Sequence, residues 1–299
     1  MKEEFSALGS RIQIEAVGAN ESEKMLQATE SIYELEKVLS RFDPDSELSR
    51  LNENPDSNIS VGSIMKAYIE AVIYSGELSR GMVDSTLLHE IEEVGYKDSI
   101  EDAVEQRMSL EEFESLINDK EIKPEKASPE SKLIEVAITG QTLYRPVGIK
   151  FDSGGLGKGL AADLAAAKLS DLEYFLVDCG GDIRIGGKAN VNREVFVTYP
   201  NIDKVLTRLN VSSGAVATSG ISQRSWVDDS CNVHHDLLDQ STGESVFSGI
   251  VQVTALAPTA GEAETRAKSA LLSGSKEDEW LPYGGVIVYD KSLEKTHYV

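Results

Sequence analysis

Apolar residues recur in two regular patterns along the first part of the chain. Apolar and polar residues alternate over 5–18, which predicts a first strand, and helical spacing over 21–40 and 63–80 predicts two helices. Gly81 follows the second helix as the expected C-cap, because glycine adopts the left-handed conformation at little cost. The polar, turn-rich segment 41–57 between the helices has room for one helical turn.

Shorter apolar runs dominate the rest of the chain and predict strands. We place these strands at 133–138, 142–152, 195–200, 214–222, 249–258 and 284–290. Alanines along one face of 261–274 predict a helix, and a capping box of Ser109 and Glu112 predicts another inside the acidic segment 98–132. Strands and helices are interleaved, so the predicted class is α/β or α+β. We expect one domain over 1–299, two-lobed at most, with 98–132 as a variable insertion.

The charge of the chain limits the partners that it can bind. Among 299 residues, 51 are acidic and 29 are basic, for a net charge of −22. This argues against binding nucleic acid or an anionic membrane, since both depend on basic patches. Cys179 and Cys231 lack the spacing of a zinc site or a disulfide scaffold. There is no signal peptide and no membrane span, so we expect a cytoplasmic protein.

The segment 148–187 carries the strongest chemical signal. It predicts a strand, a glycine-rich turn, a helix, a second strand and a second glycine turn. The two glycine turns indicate two places where the backbone closely approaches a ligand or another part of the chain. Lys158 is the only charged residue between Asp152 and Asp163. A single lysine within a glycine turn is typical of a phosphate-binding site.

Two known phosphate-binding patterns fit the first turn only in part. Gly155, Gly157 and Gly159 imitate a dinucleotide-binding fingerprint, and Asp178 follows at the required distance of roughly 20 residues. However, Leu160 stands where the third glycine of that fingerprint belongs, and the P-loop pattern fails because glycine follows the lysine. A nicotinamide-dependent oxidoreductase therefore stays an alternative, and so does a purely structural role for the glycines.

Four further segments accompany this turn, each of them weak alone. They are RFDPDSELSRLN at 41–52, VDSTLL at 83–88, VATSG at 216–220 and HHDLLDQSTG at 234–243. Together with FDSGGLGKGLAAD at 151–163 and LVDCGGDIRIGG at 176–187, they resemble the ApbE family, the FAD:protein FMN transferases. The segment 151–163 is similar to the family's D-x-G-G-x-A-K-G-x-x-x-D, and the resemblance covers nearly the whole chain.

The resemblance implies a fold and a reaction. The fold is α+β, ApbE-like and related to the T-fold, with mixed sheets and packed helices. Such an enzyme binds FAD, cleaves its pyrophosphate, joins FMN by a phosphoester to a threonine or serine of an acceptor protein, and releases AMP. Two further alternatives stay open: a member that binds FAD with lost or reduced transfer, and an interaction protein without a small ligand. Family acceptors carry a short motif with Asp and with Thr or Ser, and here we expect that segment to face the cytosol.

The resemblance also assigns residues to the FAD site by position. Lys158 is the expected cation at the diphosphate, where backbone N–H groups and a cation would hold the negative charge. The other residues expected to bind FAD are Asp84, Ser85, Thr86, Gly155, Gly157, Gly180, Gly181, Asp182, Thr218, Ser219 and Gly220. For Asp163 we favour a structural role, as a carboxylate that meets a helix dipole or an interior donor.

The expected catalytic residues depart from the family pattern. The family reads H-x-x-D-P-x-T-G, whereas here Asp236 stands three residues before Asp239, the histidine is displaced to His235, and Gln240 replaces the proline. Either His235 still reaches the acceptor hydroxyl, or Asp236 takes the role of the base, or activity is reduced. A carboxylate can serve as a base when a closed site raises its pKa.

The resemblance further implies Mg²⁺, with ligands from an aspartate, from a threonine four residues later, and from a backbone carbonyl of the glycine turn, which we assign to Gly157. The two side-chain positions here hold Glu264 and Lys268, which the spacing brings to one helix face. Lysine is a poor ligand for Mg²⁺, which requires oxygen atoms. Two arrangements stay open: the Lys268 ammonium replaces part of the metal's charge or pairs with Glu264, or Lys268 points to solvent and Glu264 binds the metal.

Overall fold

The computed structural model of the chain describes residues 1–96, 127, 132–200, 204–222, 224–228, 232–274, 278–289 and 295–298. The strands are β1 Lys2–Ala7, β2 Ser10–Val17, β3 Asn58–Ser60, β4 Ala137–Thr139, β5 Thr142–Tyr144, β6 Tyr174–Cys179, β7 Asp182–Gly186, β8 Arg193–Thr198, β9 Val205–Val211, β10 Gly214–Gly220, β11 Ser225–Val227, β12 Val233–His235, β13 Ile250–Ala257, β14 Gly285–Tyr289 and β15 Lys295–Tyr298. The helices are α1 Glu21–Leu39, α2 Glu47–Glu53, α3 Ser63–Leu78, α4 Leu88–Glu93, α5 Gly157–Leu169 and α6 Ala260–Ser273. None of these helices combines the length and the apolar character needed to cross a membrane.

Eight of the strands form one sheet in which every neighbouring pair is antiparallel. The order across the sheet is β1-β2-β6-β7-β10-β13-β14-β15. Smaller antiparallel groups are β3-β5-β4, the β8–β9 hairpin and the β11–β12 ribbon. An antiparallel sheet with separate packed helices is an α+β fold, as predicted.

Strand β6 shows how the sheet divides two cores. Phe175, Val177 and Cys179 lie in the core beneath α1, α3 and α5, whereas Tyr174 and Leu176 point to the opposite face. This period of two follows from the pleat of a strand. The helices thus cover one face of the sheet.

The β8–β9 hairpin covers part of the opposite face. Val195 and Val211 of the hairpin pack against Tyr174, Ile185 and Val216 of the sheet. This contact buries apolar side chains that the sheet would otherwise expose to water. The hairpin consequently forms one wall of the cleft described below.

The predicted elements are confirmed where the periodic pattern of apolar residues is long. They are wrong where a turn interrupts a short apolar run. Leu8 and Gly9 both have positive φ, of 55° and 61°, and they divide the predicted first strand into β1 and β2. The predicted strand 133–138 begins as a 3₁₀ turn, and strand character in 142–152 ends at Tyr144. Strands β3, β7, β9, β11, β12 and β15 were not predicted. The helix capped by Ser109 and Glu112 lies outside the described residues.

The dinucleotide-binding alternative is contradicted by the topology around α5. That fold requires parallel strands on either side of the glycine turn and helix. Here residues 149–151 form only an isolated bridge, from Lys150 to Leu87, and β6 pairs antiparallel with both β2 and β7. The glycine turn therefore belongs to a different architecture.

Candidate active site

A cleft with a volume of about 830 Å³ lies beside the β8–β9 hairpin. Its lining comes from the β1–β2 turn, the first turn of α5, the β6–β7 turn, β8, β10 and α6. A smaller pocket of about 60 Å³ adjoins it, with mostly aliphatic walls that include Val83, Leu87 and Leu272. The residues that line both are Gly154, Arg224, Asp236, Leu237 and Lys268. The two spaces therefore meet at a polar junction.

The structure brings most of the sequence-predicted residues together around these spaces. Those that line the larger cleft are Lys158, Gly180, Gly181, Thr218, Ser219, Gly220, Asp236, Glu264 and Lys268. Those that line the smaller pocket are Asp84, Ser85, Gly155, Asp236 and Lys268. Thr86, Gly157, Asp182, His235 and Asp239 line neither space and lie behind the walls.

The β6–β7 turn requires glycine for two different reasons. Gly180 and Gly181 have φ of +63° and +96°, in the region that disfavours a side chain. A Cβ on Gly180 would lie 2.7 Å from the Cβ of Ser10, whereas a Cβ on Gly181 would meet nothing within 4 Å. The Gly181 N–H donates to Asp178 at 2.7 Å. Both glycines line the cleft, and at Gly181 no neighbouring atom would hinder the approach of a ligand.

The glycines of the first turn serve different purposes. Gly159 brings α5 close to α6, since an added Cβ would lie 2.8 Å from Glu264 Oε2 and 2.9 Å from Gly261 Cα. Gly157 is buried at the start of α5, and its N–H donates to the Ser153 carbonyl at 2.8 Å. Gly155 lines the smaller pocket. Of the three, only Gly155 faces a space that a ligand can enter.

Two lysines and two carboxylates form a buried quartet between α5, β7 and α6. Lys158 Nζ lies 2.6 Å from Asp182 Oδ2 and 4.0 Å from Glu264 Oε1. Lys268 Nζ lies 2.9 Å from the same Glu264 oxygen and also donates to the Gly155 carbonyl. Glu264 Oε2 accepts the Gly159 N–H at 3.2 Å. The second expected arrangement, with Lys268 in solvent, is therefore wrong, because this residue is only 7% exposed.

Burial and charge act in opposite directions on the quartet. Burial lowers the pKa of Lys158, but Asp182 and Glu264 together outweigh it, so the pKa lies above the ordinary value. Burial, and next the Glu264 carboxylate, raise the pKa of Asp182, while Lys158 lowers it. Lys158 therefore stays a cation at neutral pH, with its positive charge at the wall of the cleft.

Arg224 and Asp236 form an ion pair at the junction of the two spaces. Arg224 Nη1 lies 3.0 Å from Asp236 Oδ2 and 3.3 Å from the Gly154 carbonyl. Burial lowers the pKa of Arg224, but the charge and hydrogen bond of Asp236, together with Tyr96 and Asp152, outweigh it, so the pKa lies above the ordinary value. The carboxylate of Asp236 is thus held by an arginine that binds the glycine turn as well.

His235 points away from both spaces. Its side chain is fully buried, Nδ1 accepts the Leu237 N–H at 3.2 Å, and Nε2 lies 3.1 Å from the Val246 carbonyl. Nε2 therefore carries the proton, since a carbonyl can only accept. Burial lowers the pKa of His235 to about 4. A neutral imidazole with both nitrogens engaged is placed to support the β11–β12 ribbon, which positions Asp236.

Asp239 and Thr86 maintain turns beside the site. Asp239 Oδ1 accepts the N–H and hydroxyl of Ser241 at 2.7 and 2.6 Å, and also the Thr242 N–H at 3.2 Å. Thr86 donates its N–H and hydroxyl to Asp84 Oδ1 at 2.7 and 2.6 Å. These hydrogen bonds stabilise two turns next to residues that line the cleft and the smaller pocket.

Asp163 joins α5 to the N-terminus of α6. Its two oxygens accept the N–H groups of Ala260 and Gly261, each at 2.9 Å. These are first-turn N–H groups without helical partners, which a carboxylate satisfies well. The structural role favoured for Asp163 is confirmed, and it fixes the end of the helix that carries Glu264 and Lys268.

Sequence reasoning missed Arg224 and the wall formed by β8. Arg224 follows the predicted small-residue strand 214–222 by two residues, and a cation just past a strand end could have indicated a ligand contact. Nothing in the sequence indicated that Phe196 and Thr198 would line the cleft, because that depends on how the hairpin folds back over the sheet.

Sequence comparisons match known proteins over most of the chain. A sequence profile described as the ApbE family matches residues 8–283. A protein of Haemophilus influenzae named FAD:protein FMN transferase is 23% identical over 277 residues, which cover 87% of this chain and 75% of that protein. One of Buchnera aphidicola with the same name is 24% identical over 139 residues, which cover 45% of this chain and only 41% of that protein.

Solved structures share the fold over nearly their full length. The ApbE protein of Thermotoga maritima superposes with a TM-score of 0.79 at 24% identity, covering 99% of this chain and 96% of that one. The flavin transferase ApbE of Vibrio cholerae superposes with a TM-score of 0.71 at 19% identity, covering 100% and 96%. These superpositions show that the chain shares the fold of those proteins as well as part of their sequence.

Proposed function

This chain belongs to the ApbE family, and on that premise we propose that it transfers FMN from FAD to a threonine or serine of an acceptor protein. The observation that carries the proposal is the polar junction, where Arg224 and Lys268 line both the larger cleft and the smaller pocket. FAD has two unequal ends joined by a diphosphate. Cations at the meeting point of two unequal spaces suit such a ligand.

The reaction is a displacement at phosphorus. The acceptor hydroxyl oxygen forms a bond to the phosphorus of the FMN half, and the bond from that phosphorus to the bridging oxygen breaks. AMP leaves with the bridging oxygen, and the hydroxyl proton passes to a base. Asp236 is our candidate for the base, because it lies at the junction and Arg224 holds its carboxylate in place.

Lys158, Lys268 and Arg224 would hold the charge of the diphosphate. Positive groups that are fixed before the substrate arrives stabilise the charge that develops in the transition state. The β6–β7 turn, Thr218, Ser219 and Gly220 are proposed to contact the flavin half, and Asp84 and Ser85 the adenosine half. Asp182 serves as the counter-charge that keeps Lys158 in place.

The Mg²⁺ that the resemblance implies does not fit the residues of this chain. The oxygens of Glu264 and Gly155 that could bind it both accept hydrogen bonds from Lys268. The carbonyl involved belongs to Gly155 and not to Gly157. Among the described residues, no group of three or more His, Cys, Asp and Glu is placed to hold a metal ion. We therefore assign no step of the transfer to a metal.

A cytoplasmic location and an acceptor with a short Asp and Thr or Ser motif remain predictions. The acidic surface, with a net charge of −22, would favour encounter with a basic acceptor. Retention of FAD, not NAD, by the purified protein separates this function from the nicotinamide alternative. Release of AMP when an acceptor is added separates an active transferase from a member that only binds FAD.

A further inference from the structure

We propose that the Lys268 ammonium is a resident cation of the diphosphate site, in place of a divalent metal, so that this chain transfers FMN without Mg²⁺. The inference rests on the proposed function for its chemistry. It rests on the quartet of Lys158, Asp182, Glu264 and Lys268 for its geometry.

The position of the ammonium is fixed by oxygens of the kinds that would otherwise bind a metal. Lys268 lies one helical turn after Glu264 on α6, and its Nζ bridges the Glu264 carboxylate and the Gly155 carbonyl. Mg²⁺ also binds carboxylate and carbonyl oxygens, in tight octahedral geometry. Glu264 is only 2% exposed, and its Oε1 already lies 2.9 Å from the Lys268 ammonium and 4.0 Å from the Lys158 ammonium, so an arriving ion would have to displace a cation from this oxygen.

The charges of the quartet balance without a metal. Lys158 and Lys268 carry two positive charges, while Asp182 and Glu264 carry two negative charges at short range. A divalent ion here would add two charges to a neutral group and would have to displace a buried ammonium. Burial of unpaired charge is costly, so the displacement is unfavourable.

The ammonium faces the ligand as well as the protein. Lys268 lines both the larger cleft and the smaller pocket, next to Arg224. An ammonium has three N–H donors, of which Gly155 and Glu264 engage two. The third can donate to a diphosphate oxygen. The Lys268 side chain would then supply the positive charge that a metal ion otherwise supplies.

The experiment compares the wild type with Lys268→Thr, which removes the ammonium and supplies a hydroxyl oxygen. Mn²⁺ is titrated onto each protein, with and without FAD, and the free ion is read by electron paramagnetic resonance. We expect no stoichiometric Mn²⁺ site in the wild type and one in Lys268→Thr. Lys168→Thr, which changes an exposed lysine near the end of α5, should behave as the wild type does.

Activity gives the second readout. The wild type should transfer FMN at the same rate in EDTA and in Mg²⁺, whereas Lys268→Thr should lose roughly 100-fold in EDTA and recover with Mg²⁺. Stoichiometric Mn²⁺ on the wild type, or loss of its activity in EDTA with recovery in Mg²⁺, would overturn the proposal. If no protein transfers FMN under any condition, the proposed function fails, and the Mn²⁺ titration still decides the role of Lys268. The wild-type titration stands even if Lys268→Thr does not fold.

Discussion

Arg224 Nη1 lies 3.0 Å from Asp236 Oδ2, at the junction where the larger cleft meets the smaller pocket. This pair places a candidate base and a cation side by side, and the same guanidinium binds the Gly154 carbonyl of the glycine turn. The relationship is the basis for proposing Asp236 as the base at the position where the family pattern has a histidine. Asp236 occupies that position in the sequence, while His235 is buried behind it.

Asp236→Asn tests the base directly. The amide keeps the size of the side chain and an oxygen for Arg224, but it cannot take a proton at neutral pH. We expect the rate of FMN transfer to fall by roughly 100- to 10,000-fold while FAD still binds. Single-turnover transfer and FAD titration measure the two effects separately. Asp171→Asn changes an exposed carboxylate outside the site and should leave both unchanged; equal rates for Asp236→Asn and the wild type would exclude Asp236 as the base.

Lys158→Met tests the ion pair with Asp182. Removal of the ammonium leaves a buried carboxylate without its partner, so we expect the free energy of unfolding to fall by roughly 3 to 5 kcal/mol. The double variant Lys158→Met with Asp182→Asn should recover most of that stability but not the affinity for FAD. Urea unfolding and FAD titration give the two values. Recovery of FAD affinity in the double variant would mean that Lys158 only neutralises Asp182.

His235 predicts a specific dependence of stability on pH. Its pKa is lowered to about 4 in the folded protein, so the unfolded chain binds more protons between that pH and the ordinary histidine pKa of about 6.5. The contribution of His235 is therefore complete above the unfolded pKa and is lost as the pH falls through this window. It amounts to about 3 kcal/mol. Relative to His235→Asn, the wild type should lose this advantage as the pH falls from 7 to 4, and parallel curves would contradict the assignment.

Gly159→Ala tests the close approach of α5 and α6. The added methyl would lie 2.8 Å from Glu264 Oε2 and 2.9 Å from Gly261 Cα, so the helices must separate. We expect a loss of about 1 to 3 kcal/mol in unfolding free energy, and weaker FAD binding as Glu264 and Lys268 move. Gly157→Ala is the matched control, because its methyl would meet only Ser153 Cβ, at 4.0 Å. Comparable losses in the two variants would show that helix separation is not the cause.

Much of the fold follows from local pattern, and the departures have local causes. The apolar stripe of α1 and the alternation of Ile12, Ile14 and Ala16 arise because one face of each element is buried. Burial of one face gives a periodic pattern of apolar residues that is visible in the sequence. The turn at Leu8 and Gly9 divides a run whose alternation continues across it. Strand β9 is hard to recognise because its two buried residues, Leu206 and Val211, are five positions apart and do not show the alternation of a strand.

The site is less predictable than the fold, for a physical reason. The glycine turns around Lys158 and at Gly180 and Gly181 could be predicted because glycine turns have a sequence signature. The roles of His235 and Asp236 could not be separated, since His235 ends β12, Asp236 follows it, and the sequence does not say which of the two side chains faces the cleft. Lys268 departs visibly from the family pattern, but its contact with the Gly155 carbonyl depends on how α6 packs beside the glycine turn.

The central claim is tested most directly by incubating the protein with FAD and a set of peptides in which Asp precedes Thr, each paired with a Thr→Val control. Intact mass of the peptides and AMP in solution are measured together. We expect an FMN adduct on threonine peptides only, with one AMP released for each adduct. Failure to bind FAD, or binding of FAD with neither adduct nor AMP across the whole set, would contradict the account.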